Sequence, residues 1–297
     1  MGRSNYQKMP LLCSALSRIS KNISGKGFSS SFKKNRRKMK IYVSVDMEGI
    51  SGVFTWQQTG RDGMNPEYEK ARHLYTQDTN AVVEACKENG VEKVVVMDGH
   101  NGGYNFIIEE LHPDGEYITG YSRRDILSGF DKSFDGVILL GFHAMAGTFC
   151  GILDHTQSSR TWFNYFINGK KMGEVGQEAV MAGSLGVPII LVTGDKAVGK
   201  EAKELLGNVE TVVVKEGLSR NCARIIAPSK AHQLIKQGVA RAIKRIKEFK
   251  PYIVKPPIEV RIEFQNTDIA DGYERNGWKR TNGRTVVKTV DSALKIL

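Results

Sequence analysis

At 297 residues, 40% of them apolar, the chain is globular and large enough for one large domain or two smaller ones. Its net charge of +11 resembles that of a nucleic-acid-binding protein, but residues 1–40 hold 11 Lys or Arg and no acid, leaving 32 basic against 32 acidic residues beyond them. The body is therefore neutral and no nucleic-acid partner is expected; no apolar run reaches the ~18 residues of a membrane span, and Cys13, Cys86, Cys150 and Cys222 are too scattered for a disulfide framework or a Cys-based zinc site.

Residues 1–38, rich in Ser, Lys and Arg and free of acids, read as a basic leader. Its composition is that of an organelle transit peptide or of a solvated tail ahead of an alternative start at Met39. The scattered cysteines fit a reducing compartment, so the expected location is cytoplasmic, with organelle import through the leader as the alternative.

From Met39 onward short β-rich runs alternate with helical segments. Strands are expected at Lys40 to Asp46, Glu92 to Asp98, Asp135 to Phe142, Pro188 to Thr193 and Val209 to Lys215. Helices are expected at Pro66 to Asn89, Gly176 to Leu185 and Asp195 to Leu206. That alternation predicts an α/β fold, a mostly parallel sheet flanked by helices. Asn168-Gly169 marks a hairpin turn. After Arg220 come a basic helix from Ser229 to Phe249, a Pro-rich linker and a strand from Ile258 to Phe264. The reading is a catalytic α/β domain over 39–220 and a smaller α+β lobe over 221–297.

Chemistry-bearing residues cluster where strands end. "KIYVSVDMEGISGV" puts Asp46 and Glu48 one residue apart after a buried strand, on the same face if the strand continues. Two readings fit: loop acids bonded to nearby amides, or a cation site at the carboxyl end of a sheet strand. "KVVVMDGHNGG" ends in Asp98 and His100, "GVILLGFHAMAG" in His143, "GILDHTQ" carries His155, and "KKMGEVG" places Glu174 at a helix start. Each residue alone is ordinary: Asp98 as a cap for the loop bearing His100, a histidine as a hydrogen-bonded loop residue, Glu174 as an acid favoured at a helix N-terminus. Jointly, Asp46, Glu48, His100, His143 and Glu174 form an N/O donor set too large for one tetrahedral zinc. It suits two ions sharing a carboxylate, roughly 3.5–4 Å apart, and Zn²⁺, Mn²⁺ or Co²⁺ in preference to softer metals.

"SVDMEGISG", "DGH", "LGFHA", "DHT" and "GEVG", in this order and at these separations, closely resemble the zinc-dependent D-aminopeptidase (DppA-like) metallopeptidase family over about Lys40 to Asp271. The resemblance implies two zinc ions per chain bridged by Asp46, with Glu48, His100, His143 and Glu174 as the other ligands and His155 as the catalytic histidine. It also implies short peptides with a D-configured N-terminal residue as substrates and a homo-oligomer, a decamer of two stacked pentamers. The leader has no counterpart in compact bacterial members, and the chain stops a helical turn or more early by the same comparison. Two metals would turn the repulsion of Asp46 and Glu48 into stabilisation, and a water activated between them becomes a nucleophile near neutral pH. His155 would then shuttle the proton or attack directly. Rival readings are another dimetal amidase or phosphoesterase, and a metal-stabilised assembly protein without turnover.

Two signals are set aside. "GDKAVGKE" matches a phosphate-loop pattern, but Glu201 stands where a hydroxyl residue should hold Mg²⁺, so Asp195 reads as a helix cap. The basic face of "KAHQLIKQGVARAIKRIKEFK" reads as solvated rather than as a nucleic-acid or membrane surface.

Overall fold

The computed structural model describes residues 38–60 and 65–297, and residues 38–297 form one compact unit. Apart from Lys38, the leader lies outside the described residues. Along the chain run β1 (Lys40–Val45), α1 (Pro66–Glu88), β2 (Lys93–Asp98), β3 (Glu116–Ile118), β4 (Gly136–Phe142), β5 (Trp162–Ile167), β6 (Lys170–Lys171) and α2 (Glu174–Ser184). There follow β7 (Ile189–Asp195), α3 (Lys196–Leu206), β8 (Glu210–Ser219), β9 (Cys222–Ile225), α4 (Pro228–Lys244), β10 (Ile258–Phe264), α5 (Thr267–Arg275), β11 (Lys279–Asn282) and β12 (Thr285–Val290). Among the described residues no helix is long and apolar enough to cross a membrane.

The first sheet has the order β3-β2-β1-β4-β7-β8-β9 and is parallel except for β9, which pairs antiparallel with β8. Strand alternation divides the core. Ile41, Val43 and Val45 face α1 and α4, whereas Tyr42 faces the opposite core, which holds α2, α3 and the second sheet. The second sheet, ordered β11-β12-β10-β5-β6, is antiparallel. The predicted hairpin is present, with Asn168 (φ 48°) and Gly169 (φ 78°) both left-handed as a type I′ turn requires.

The division expected at residue 220 does not coincide with the division between sheets. The second sheet draws β5 and β6 from before it and β10, β11 and β12 from after it. The basic helix α4 returns to the first sheet, where Ala231, Ile235, Val239 and Ala242 join the core beside α1. Its basic face is ion-paired: Lys236 to Glu84, Arg241 to Glu210.

From β1 the chain steps outward to β2 and β3, and from β4 it steps the other way to β7 and β8. The order therefore reverses between β1 and β4, and ligands of open α/β sheets bind at such a switch point. Asp46 and Glu48 follow β1, His100 follows β2 and His143 follows β4, so three adjacent parallel strands deliver them to one edge. The loop after β1 lies against the end of β4: Asp46 N–H donates to Leu140 O at 2.8 Å and Gly49 N–H to Gly141 O at 2.7 Å. A Cβ on Gly49 would stand 2.0 Å from Phe142 O, so glycine is required there by the close approach of two backbones.

The same loop is held from below by Lys215 on β8, which is 1% exposed. Its ammonium donates to the carbonyls of Glu48 (2.5 Å), Ile50 (2.8 Å) and Val53 (2.5 Å). Burial pushes the ammonium down to about 8, against the pull of Asp195, Asp78 and Glu48. Replacing Lys215 by Met leaves three carbonyls without their donor. Lys215→Met is expected to lower folding stability by on the order of 3 kcal/mol in urea denaturation; an unchanged midpoint would show that the loop holds itself.

Candidate metal centre

Asp46, Glu48, His100, His143 and Glu174 converge at this edge. Asp46 sits between two imidazoles. Its Oδ1 lies 3.1 Å from His100 Nδ1, which is 3.2 Å from Glu48 Oε2; its Oδ2 lies 3.3 Å from His143 Nε2, which is 3.3 Å from Glu174 Oε1. Taken from the two imidazoles outward, the donors form two groups of three that share the two oxygens of Asp46; by mutual distance the tight groups, with donor atoms all within 4.8 Å, are Asp46, Glu48 and His143, and His143, His155 and Glu174. Asp46 Oδ2, Glu48 Oε2 and His143 Nε2 are buried and make no hydrogen bond among the described residues. Polar atoms so placed cost free energy unless a cation or donor meets them.

Each histidine has one nitrogen on a carbonyl, which can only accept: His100 Nε2 on Thr59 O (2.8 Å), His143 Nδ1 on Ala144 O (3.0 Å), His155 Nδ1 on Leu153 O (2.9 Å). A proton on each of those nitrogens leaves the opposite nitrogen of the ring facing the carboxylates, the arrangement that orients histidine ligands; at His100 Nε2 the amide nitrogen of Asn101 also stands at 3.0 Å. His155 stacks on His143, with centroids 4.0 Å apart, and its Nε2 lies 3.9 Å from Glu174 Oε1. Trp56 meets the His155 ring edge-on at 5.5 Å and carries the Arg220 guanidinium on its face.

Electrostatics show how strongly the site demands positive charge. Burial alone would raise Asp46, yet the hydrogen bond of His100 to its Oδ1 and the charge of both His100 and His143 hold it well below the usual carboxylate range. Glu174 is lowered, chiefly by His143, against the same penalty of burial. Burial pushes His100 and His143 down, but Glu48 and Asp46 on the first and Glu174 and Asp46 on the second raise both well above the usual range. Glu174 opens α2, where the helix dipole favours an anion, and its Oε1 also accepts from Gln157 N–H at 2.7 Å.

Other acids singled out from the sequence serve the backbone. Asp98 accepts from Asn105 N–H and Thr119 Oγ and so shapes the loop that presents His100. In that loop Asn101, Gly102, Gly103 and Tyr104 all have positive φ. Asp195 caps α3 by accepting from Val198 N–H at 2.8 Å. Glu201 is buried and accepts from Met145 N–H, bracing the turn after His143. Two residues escaped the sequence reading, Lys215 and Glu178. Glu178 accepts from Ser44 Oγ, and burial together with Glu174 and Asp46 pushes it up to about 8. Nothing local distinguishes either from an ordinary strand lysine or helix glutamate.

A cavity of about 1120 Å³ opens onto the cluster, lined by Asp46, Glu48, His100, His155 and Glu174, with Trp56, Arg160 and Arg220 at its exposed rim. Its breadth suits a small extended ligand with both polar and apolar groups.

A sequence model of the D-aminopeptidase family, Peptidase M55, matches residues 39–297. The chain is 34% identical over 252 residues to a D-aminopeptidase of Bacillus subtilis (strain 168), covering 84% of this chain and 88% of that one. The solved structure of the Zn-dependent D-aminopeptidase DppA from Bacillus subtilis, described as a self-compartmentalizing protease, superposes with a TM-score of 0.83 at 32% identity, covering 87% of this chain and 94% of that one. With agreement over nearly all of its described length, the chain belongs to the D-aminopeptidase family and is a peptidase.

Proposed function

We propose that the chain is a two-metal aminopeptidase that removes a D-configured N-terminal residue from short peptides. Asp46 is the bridging ligand, Glu48 and His100 complete one site, and His143 and Glu174 complete the other. The observation that carries this is the division of five donors into two trios through the two oxygens of Asp46. The donors fit the metal: an N/O set without thiolate suits Zn²⁺, the ion of the similar DppA, and accommodates Mn²⁺ or Co²⁺. Two such ions, when bound, polarise the scissile carbonyl and favour the nucleophilic form of water near neutral pH.

The chain's own residues supply the rest. His155, with Nδ1–H tied to Leu153 O, turns Nε2 toward Glu174 and the cavity, where it accepts a proton from the attacking water and returns it to the leaving amine. The stack on His143 and the edge of Trp56 hold that ring in place. The three described cysteines, Cys86, Cys150 and Cys222, are free, which agrees with a cytoplasmic enzyme.

Chelation should abolish release of nitroaniline from D-alanyl-p-nitroanilide, and Zn²⁺ should restore it. Asp46→Ala is expected to lose both ions by elemental analysis, whereas His155→Ala keeps its metals and loses at least ~100-fold in kcat. Full metal occupancy in Asp46→Ala would remove the bridge from the scheme.

The proposal extends to a closed assembly that encloses the active sites, two stacked pentamers as the family resemblance implies. Phe149 is 92% exposed and shares with Val213 a shallow groove between α3 and β8, whose rim carries Lys196, Lys200 and Glu216, a mixed surface open to burial between copies. Light scattering on a chain beginning at Met39 should give a mass near ten chains, and turnover should fall steeply as peptides lengthen. A monomer that cleaves long and short peptides equally would leave the metal chemistry standing without the enclosure.

A further inference from the structure

Four carboxylates line the cavity, and the proposed ligand set uses three of them, Asp46, Glu48 and Glu174. The fourth is Glu178, 8% exposed and one turn along α2 from Glu174. Residues four apart on a helix stand side by side, with Cβ atoms about 5–6 Å apart, so Glu178 flanks the metal trios without belonging to them. Ser44 Oγ donates to its Oε1 at 2.9 Å and fixes the carboxyl group. Its Oε2 is buried with no hydrogen-bond partner among the described residues. Arg123, the guanidinium on that side of the cavity, directs its two terminal nitrogens to the carbonyls of Asp98 and Gly99 and not to Glu178. A fixed, buried carboxyl group with one unpartnered oxygen, on a residue that lines the cavity, is costly alone and well matched to a cationic donor.

We propose that Glu178 receives the free α-ammonium group of the substrate and so makes this peptidase an aminopeptidase; the assignment rests on the two-metal reading above. An α-amino nitrogen and the carbonyl of the same residue are attached to one carbon, so an ammonium on Glu178 leaves the scissile carbonyl beside Asp46 and Glu174. The reverse orientation would place a peptide carboxylate against a buried acid that offers it no cation. The remainder of the peptide then runs past His155 toward Arg160, whose charge suits a nearby C-terminal carboxylate; Arg220 beside it is ion-paired to Asp154. The substrate class that fits is a short peptide with both ends free. An N-acylated peptide lacks the cation and leaves the buried carboxylate unmatched.

Glu178→Gln keeps the shape and removes the charge that an ammonium beside the carboxyl would draw out against burial. Compared on D-alanyl-p-nitroanilide and on propionyl-p-nitroanilide, which lacks the amino group, the zinc-loaded variant should show a KM raised about 10- to 100-fold for the first and unchanged for the second, with full metal content. Glu178→Asp, which retains the charge, should recover part of the difference. On the unaltered enzyme, D-alaninamide should inhibit about 10- to 100-fold more tightly than propanamide, a result that does not depend on a variant folding. An undiminished preference for the free amine in Glu178→Gln, a loss of metal from it, or equal inhibition by the two amides overturns the assignment. Unaltered enzyme that holds zinc but cleaves neither anilide instead sinks the aminopeptidase reading on which the assignment rests.

Discussion

The structure around the site is governed by buried negative charge. Asp46 and Glu48 offer oxygens within 4.8 Å of each other, Glu174 meets the same His143 as Asp46, and Glu178 lies one turn further along α2. Two like charges 4 Å apart repel by about 4 kcal/mol even at an effective dielectric of 20. Such a cluster is costly unless positive charge compensates it. Compensation comes from several directions at once: the imidazoles of His100 and His143, the N-terminus of α2 under Glu174, and Lys215 beneath the loop.

How that compensation is arranged decides what the site can bind. Lys215 is the buried ammonium nearest the loop, yet the three bonds it makes there go to carbonyls of Glu48, Ile50 and Val53 rather than to carboxylates. It fixes the backbone that carries Glu48 and leaves the Glu48 oxygens for another partner. The histidines follow the same logic, each anchored through one nitrogen to a carbonyl while the other stays directed at the acids. Lys215 and the two imidazoles are thus tethered to backbone carbonyls, which leaves Asp46 Oδ2, Glu48 Oε2 and His143 Nε2 without hydrogen bonds among the described residues.

Features encoded in neighbouring residues were legible in the sequence. The apolar runs before Asp46, His100 and His143 are β1, β2 and β4, each within a residue or two of the expected bounds, and Asn168-Gly169 turns as its composition demands. The caps at Asp98 and Asp195 were legible for the same reason, since their partners lie within a few residues. What depends on distant pairing was not. β3 has three residues and owes its existence to the edge of β2, and Lys215 acquires its role from carbonyls more than 160 residues earlier. Glu178 reads as a helix-favouring residue until Ser44 of β1 is seen beside it. Helix α2 begins two residues before Gly176, with Glu174 at the helix start where the sequence placed it.

The second sheet connects to the site through sequence order rather than through contact alone. His155 precedes β5 and Glu174 follows β6, so the hairpin between them belongs to the second sheet while its two ends deliver chemistry to the first. β10 pairs with β5 from Val260 opposite Ile167 to Phe264 opposite Trp162, and Asn168 Oδ1 accepts from Glu259 N–H at the turn. Tyr165 on β5 donates its hydroxyl proton to Ile296 O, which ties the last turn of the chain to the same hairpin. The spacing between His155 and Glu174 is thereby braced by residues some hundred positions later. The C-terminal segment is part of the scaffold of the site, which explains in physical terms why no division at residue 220 separates a catalytic half from an accessory one.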